Sequence, residues 1–156
     1  MKIPAFSISA IPGIVFGDGT RRRLPELAQG FGNSVLLVTG AASFQCSPAW
    51  PELLAGLQQR GMVFEHMTVS GEPSPQMVDE AAQHFRSAAI DVVIGIGGGS
   101  VLDAAKAIAG LLRVENSVMD YLEGVGPEQP YQGPAIPFIA VPTTAGTGSE
   151  VGRAGV

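Results

Sequence analysis

Residues 91–109, DVVIGIGGGSVLDAAKAIA, constrain the fold of this chain more than any other segment. Residues 92–96 are all apolar or glycine, and a short run of this kind is typical of a strand buried on both faces of a parallel sheet. Three consecutive glycines follow, and a helical pattern begins at Ser100. The segment therefore predicts a strand, a glycine turn and a helix N-terminus in direct succession.

This succession predicts an anion-binding site. Gly97, Gly98 and Gly99 have no side chains, so a phosphate can approach their backbone closely at the positive end of the helix dipole. Ser100 and Asp103 stand in the S-x-x-D relation of a capping box, which satisfies free backbone donors at a helix start. The favoured ligand is the pyrophosphate of a dinucleotide. Because the glycine spacing differs from G-x-G-x-x-G, the spacing alone leaves the identity of the ligand open. The alternative is a strand–helix connection in which the glycines only permit a tight turn and bind no ligand.

The remaining sequence alternates apolar runs with amphipathic helical patterns. Thr20 and Ser47 are predicted N-caps of two of the helices. Strands alternating with helices indicate an α/β fold with a doubly wound, mainly parallel, Rossmann-like sheet. At 156 residues the chain fits a single domain, residues 1–156. The other predicted strands are residues 14–16, 35–39, 62–69 and 136–141.

Charge and composition restrict the partners. Nine basic and fourteen acidic residues give a net charge of −5, which argues against nucleic acid or an anionic membrane as partner. No apolar run approaches the roughly 20 residues of a membrane span. The single cysteine, Cys46, cannot form an internal disulfide, which suits a reducing compartment, and we expect a cytoplasmic protein. His66 and His84 have no metal-ligand partners at suitable spacing and are interpreted as a sheet histidine and a surface histidine.

A second loop, PTTAGTGSE at residues 142–150, also follows a predicted strand. Open α/β sheets bind ligands beyond the carboxyl ends of their strands, which is where both loops fall. The hydroxyls of Thr143, Thr144 and Thr147 suit the ribose, phosphate and carboxamide groups of a nicotinamide nucleotide. A plain Ser/Thr/Gly linker is the alternative, but two such loops at one edge favour a nicotinamide dinucleotide.

The two motifs GGGSVLDAAKAIA (97–109) and VPTTAGTGSEVGRAG (141–155) together resemble the iron-containing, or group III, alcohol dehydrogenase family. A looser similarity, including FGDGT and YLEGVG, extends over nearly the whole chain. The resemblance implies a dehydroquinate-synthase-like fold, with an N-terminal α/β domain that binds NAD or NADP and a helical domain that binds a divalent metal. It also implies a homo-oligomer and hydride transfer between the nicotinamide and a small alcohol or aldehyde, with Fe²⁺ or Zn²⁺ polarising the substrate oxygen.

The resemblance also assigns roles to residues of both loops. Asp103 matches the aspartate of the family motif, and we assign it to helix capping and loop shape, not to proton transfer. Thr143, Thr144 and Thr147 match positions that contact the phosphates and the nicotinamide-side ribose. The residues that match the pyrophosphate loop are Gly97, Gly98, Gly99 and Ser100.

One departure from the family concerns the adenosine ribose. In many members an aspartate that holds the ribose hydroxyls follows the strand matching residues 35–39, and here that position is Gly40. Without this carboxylate a 2′-phosphate meets no charge repulsion, and Ser43 can donate a hydrogen bond to it. We therefore expect NADP to be accepted and even preferred.

A second departure concerns the metal. The family's metal ligands, an Asp and three His, lie in the helical domain, whereas this sequence ends at Val156, before that domain. We therefore expect the cofactor-binding half of a two-domain enzyme, without a metal site or turnover of its own. The alternatives are a maleylacetate-reductase-like or glycerol-dehydrogenase-like member, or a stand-alone nucleotide-binding module without chemistry.

Overall fold

The described part of the chain, residues 13–152 of a computed structural model, contains one parallel sheet with four strands. Their spatial order is β2-β1-β3-β4. The chain therefore passes from β1 to β2 on one side of it and then crosses back to β3 on the other side. Such a reversal creates a crevice at the carboxyl ends of the strands on either side of it, here β1 and β3. The strands are β1 (Ser34–Gly40), β2 (Val63–Val69), β3 (Val92–Gly97) and β4 (Phe138–Pro142).

Helices cover both faces of the sheet. One core packs α1 and α2 against Leu37 and Ile94, and the other packs α3 and α4 against Leu36 and Val93. The inner strands β1 and β3 are almost completely buried, while β2 alternates between exposed and partly buried residues, as an edge strand does. The predicted doubly wound α/β fold is therefore confirmed. The helices are α1 (Leu24–Gln29), α2 (Ala49–Gln59), α3 (Pro75–Phe85) and α4 (Gly99–Leu111).

Three local predictions are wrong. Residues 14–16 have no regular secondary structure and pair with no described strand, and Phe16 is 96% exposed, so an apolar triplet alone did not make a strand. The Thr20 hydroxyl donates to the Gly17 carbonyl at 2.9 Å instead of capping a helix. The Ser47 hydroxyl likewise donates backwards, to the Phe44 carbonyl at 2.7 Å, and α2 begins without a side-chain cap.

Two remaining observations concern the surface. Cys46 and His84 are both exposed, and the surface position of His84 agrees with its interpretation from the sequence.

Within residues 13–152, every helix is too short or too polar to cross a bilayer. The end of the second motif, residues 153–155, lies outside the described residues.

The packing of α4 on the sheet generates a stability prediction. A Cβ at Gly95 would lie 2.9 Å from Ala105 Cβ and 3.1 Å from Phe138 Cε2, so Gly95→Ala should lower the free energy of unfolding by about 1–3 kcal/mol. At Gly110, on α4 itself, the atom nearest to an added Cβ is Tyr131 Oη at 3.9 Å. Gly110→Ala should therefore be neutral or stabilising by up to about 1 kcal/mol. Urea unfolding measures both, and equal effects of the two variants would contradict this account of the packing.

Candidate functional site

The glycine turn (Gly97, Gly98 and Gly99) connects the carboxyl end of β3 to the start of α4. Gly98 is the N-cap, and its carbonyl accepts from the N–H groups of Val101 and Leu102 at 3.1 Å each. The N–H groups of Gly99 and Ser100 are the first two of the helix and have no intrahelical acceptor. The turn thus presents backbone donors and the positive end of the helix dipole, as the sequence predicts.

The predicted capping box does not form. Gly98 caps the helix and no side chain makes a cap hydrogen bond, because α4 starts one residue earlier than predicted and Ser100 already lies inside it. Asp103 is not a capping residue either: its Oδ2 accepts from Ser149 Oγ at 3.0 Å, and its Oδ1 lies 3.6 Å from Lys106 Nζ. The contact joins Asp103 to the loop at residues 142–150, and its role in shaping that loop stays a prediction.

The threonine loop (residues 142–150) folds back onto the glycine turn. The Thr143 N–H donates to the Gly97 carbonyl at 2.9 Å. A Cβ added at Gly98 would lie 3.3 Å from Thr144 Oγ1, and one at Gly99 would lie 3.3 Å from Thr147 Cβ. The structure therefore brings together the residues that the two motifs predict for one site.

The three glycines serve different packing needs. A Cβ at Gly97 would lie 2.6 Å from Val101 Cβ, so Gly97 permits close packing of α4 on the strand. Gly98 and Gly99 leave room for the side chains of the threonine loop. The absence of side chains at these glycines thus allows α4 and the threonine loop to pack closely on the turn. Sequence analysis did not predict this reason for the glycines.

Gly40 is the last residue of β1, which extends one residue beyond the predicted strand, and Ser43 lies in the segment after it, on the other side of the crevice. A Cβ at Gly40 would lie 3.8 Å from Val101 Cγ2, an ordinary contact, so the position has room for a Cβ. Val101 is the same residue that packs against Gly97, which places Gly40 beside the glycine turn. Ser43 is exposed.

The donor set suits phosphate and ribose groups better than a metal. Backbone N–H groups and the hydroxyls of Thr143, Thr144 and Thr147 dominate it, and the Asp103 carboxylate is already engaged. Among residues 13–152 there is no cluster of three or more His, Cys, Asp or Glu side chains that could hold a metal ion. Such donors at a helix N-terminus are of the kind that binds phosphate groups.

A groove between α1 and α2 is a weaker candidate for anions. It has a volume of about 290 Å³ and is lined in part by Arg21, Arg22 and Arg60. Glu52 bridges two of these cations, at 3.0 Å from Arg21 Nη2 and 2.7 Å from Arg22 Nε. The hydrogen bond from Arg22 lowers the pKa of Glu52, so the carboxylate stays charged and offsets the positive charge of the groove.

Sequence analysis missed a polar cluster at the carboxyl end of β1. Thr39 is completely buried, and its hydroxyl contacts both Gln45 and His66. The His66 ring also packs against Trp50, with ring centroids 4.8 Å apart. A polar residue ending an otherwise apolar strand was the available signal, whereas its partners depend on tertiary contacts.

The sequence matches the family model for iron-containing alcohol dehydrogenase over residues 12–156, and the chain belongs to this family. It is 36% identical over 145 residues to the long-chain primary alcohol dehydrogenase AdhA of Thermoanaerobacter ethanolicus, a match that covers 88% of this chain and 35% of the relative. It is 33% identical over 145 residues to the probable NADH-dependent butanol dehydrogenase 1 of Bacillus subtilis, covering 92% of this chain and 36% of the relative.

Solved structures agree with the sequence comparison. NADH-dependent butanol dehydrogenase A of Thermotoga maritima superposes with a TM-score of 0.82 at 28% identity, covering 92% of this chain and 36% of that one. Sulfoacetaldehyde reductase of Bifidobacterium kashiwanohense, solved in complex with NAD⁺, gives a TM-score of 0.70 at 28% identity, covering 86% and 35%. The chain thus spans about a third of the length of the relatives it matches.

The contact between Asp103 and Ser149 predicts how the threonine loop is held. Ser149→Ala removes the donor, and amide hydrogen exchange of residues 143–149 should become about fivefold faster, the effect expected for one lost hydrogen bond. Ser149→Thr keeps the hydroxyl and serves as the control. Unchanged exchange in the alanine variant would show that this contact does not hold the loop.

Proposed function

We propose that residues 1–156 form the NAD(P)-binding domain of a metal-dependent alcohol dehydrogenase. The observation that carries the proposal is the meeting of the glycine turn and the threonine loop at the N-terminus of α4, with Thr143 N–H bonded to the Gly97 carbonyl. This meeting occurs at the carboxyl edge of a sheet whose strand order reverses between β1 and β3. Family membership and the NAD⁺ complex of the sulfoacetaldehyde reductase support the same conclusion.

In this proposal the chain binds the dinucleotide in three places. The N–H groups of Gly99 and Ser100 donate to the pyrophosphate, with Gly97 and Gly98 letting α4 and the threonine loop pack closely around this point. The hydroxyls of Thr143, Thr144 and Thr147 bind the phosphates and the nicotinamide-side ribose. The segment after β1, with Gly40 and Ser43, takes the adenosine ribose. When bound, the nicotinamide supplies the hydride chemistry.

Asp103 helps to shape this site without carrying a reacting proton. Its carboxylate holds Ser149, and the Lys106 ammonium 3.6 Å away balances its charge close to the pyrophosphate site. Both charges lie on α4, three residues apart, so the helix keeps them together. The negative charge of Asp103 is thereby prevented from opposing an incoming phosphate.

The remaining features of the whole protein follow from the family and belong to the same proposal. A helical domain binds Fe²⁺ or Zn²⁺, and the metal polarises the oxygen of a small alcohol or aldehyde substrate. The enzyme works as a cytoplasmic homo-oligomer. Residues 1–156 supply the cofactor site alone.

Calorimetric titration of the chain with NADH and NADPH tests the cofactor site. We expect micromolar binding of at least one of them, with NADPH bound at least as tightly as NADH because no carboxylate faces the 2′-phosphate. Circular dichroism verifies that the titrated chain is folded. A folded chain that binds neither nucleotide would contradict the proposal, and NADH bound at least about tenfold more tightly than NADPH would contradict the part that concerns Gly40.

A carboxylate placed at position 40 should reverse the preference. The Cβ of Gly40→Asp meets Val101 at an ordinary contact distance, and the added charge should weaken NADPH binding by at least about tenfold through repulsion of the 2′-phosphate. NADH binding should be unchanged or tighter. Gln83→Glu adds the same charge at an exposed position on α3 and should alter neither dissociation constant. Equal weakening of both nucleotides by Gly40→Asp would place the adenosine ribose elsewhere.

A further inference from the structure

Thr39 is the one fully buried polar side chain among residues 13–152. It lies at the end of β1, directly before Gly40. Its hydroxyl has three partners: the Gly40 carbonyl oxygen at 3.1 Å, Gln45 Nε2 at 3.1 Å and His66 Nε2 at 3.0 Å. A buried hydroxyl with this many partners has both its proton and its lone pairs in use.

The hydroxyl of Thr39 has one proton to share among these partners. The amide of Gln45 can only donate through Nε2, so it gives a hydrogen bond to Thr39 Oγ1. The Thr39 proton goes to the Gly40 carbonyl when His66 Nε2 donates, and to His66 Nε2 when that nitrogen accepts, since the role of the ring nitrogen depends on the tautomer. Thr39 is bonded to His66 in either case, and burial lowers the pKa of His66, which favours the neutral ring.

The same hydrogen bonds fix both ends of the segment that follows β1. Gln45 Nε2 donates to the Gly40 carbonyl at 3.2 Å as well as to Thr39, so it connects position 45 to position 40. His66 on β2 secures the cluster from the neighbouring strand, and Trp50 on α2 packs against its ring. Between the two fixed ends lie residues 41–43, which are exposed and include Ser43.

We propose that Thr39, Gln45 and His66 are positioning residues for the adenosine half of the dinucleotide. Their hydrogen bonds hold residues 40–45 in the conformation that contacts the adenosine ribose and its 2′ substituent. This inference rests on the proposed function, since it assumes that the segment after β1 takes that half of the cofactor. None of the three touches the reacting nicotinamide in this assignment, and they act through the backbone of Gly40 and through Ser43.

Replacing the Thr39 hydroxyl tests the proposal. Thr39→Val keeps the shape of the side chain and removes all three hydrogen bonds, whereas Thr39→Ser keeps the hydroxyl. Calorimetry with ADP, which contains only the adenosine half, should show about fivefold weaker binding for the valine variant and near wild-type binding for the serine variant. Amide exchange at residues 41–44 should rise in the valine variant alone.

A second variant and a spectroscopic signature complete the test. Gln45→Ala changes a partly exposed position and should also weaken ADP binding. It serves as the test if Thr39→Val fails to fold. Nitrogen-15 spectra should show that the His66 ring signals differ between the wild-type chain and Thr39→Val, because the variant removes the hydrogen bond to Nε2. Unchanged His66 signals, or ADP binding unchanged in the folded variants, would overturn the inference.

The outcomes separate this inference from the proposed function. A folded wild-type chain that binds neither ADP nor NADH contradicts both. A wild-type chain that binds both, together with variants that bind ADP equally well, contradicts the positioning role alone. Rescue by Thr39→Ser, with weakening in Thr39→Val, supports a role for the hydroxyl beyond packing.

Discussion

The hydrogen bond from the Thr143 N–H to the Gly97 carbonyl, 2.9 Å long, joins the two segments on which the site depends. It continues the pairing of β3 with β4, in which Gly97 lies opposite Pro142, the last residue of β4, and Thr143 is the next residue. The threonine loop therefore starts from a position fixed by the sheet. From there it lies against Gly98 and Gly99, where an added Cβ would lie 3.2–3.3 Å from side chains of the loop, closer than an ordinary contact.

The rest of the fold places this junction where a ligand can reach it. The inner strands are buried on both faces, so helices must cover the sheet and the loops must gather at its edges. The reversal of strand order then opens the carboxyl edge between β1 and β3. Val101, in the first turn of α4, packs beside both Gly40 and Gly97 and so keeps the two sides of the crevice in contact.

Strand and helix positions were predictable because each depends on local sequence. The run at residues 92–96 and the glycines after it gave β3, the turn and the approximate start of α4. The capping box failed because S-x-x-D spacing does not fix where the first helical turn begins, and Gly98 adopted the cap conformation instead. Asp103 then became available to Ser149, 46 residues further along the chain, which no local pattern reveals.

The polar cluster around Thr39 shows the same limit. His66 was predicted correctly as a sheet residue, and its spacing excluded the usual metal ligands. Its partner Thr39 lies 27 residues away on the neighbouring strand, so the contact follows from the parallel pairing of β1 with β2. Contacts of this kind depend on strand register, which the sequence alone left undetermined.

The central claim is that the glycine turn and the threonine loop form one dinucleotide site, and amide chemical-shift mapping with NADH and NADPH tests it most directly. The account predicts that the largest shifts fall on residues 97–100 and 143–147, with a second group at residues 40–43. Shifts confined to the arginine-lined groove between α1 and α2, or no shifts in a folded chain, would contradict it.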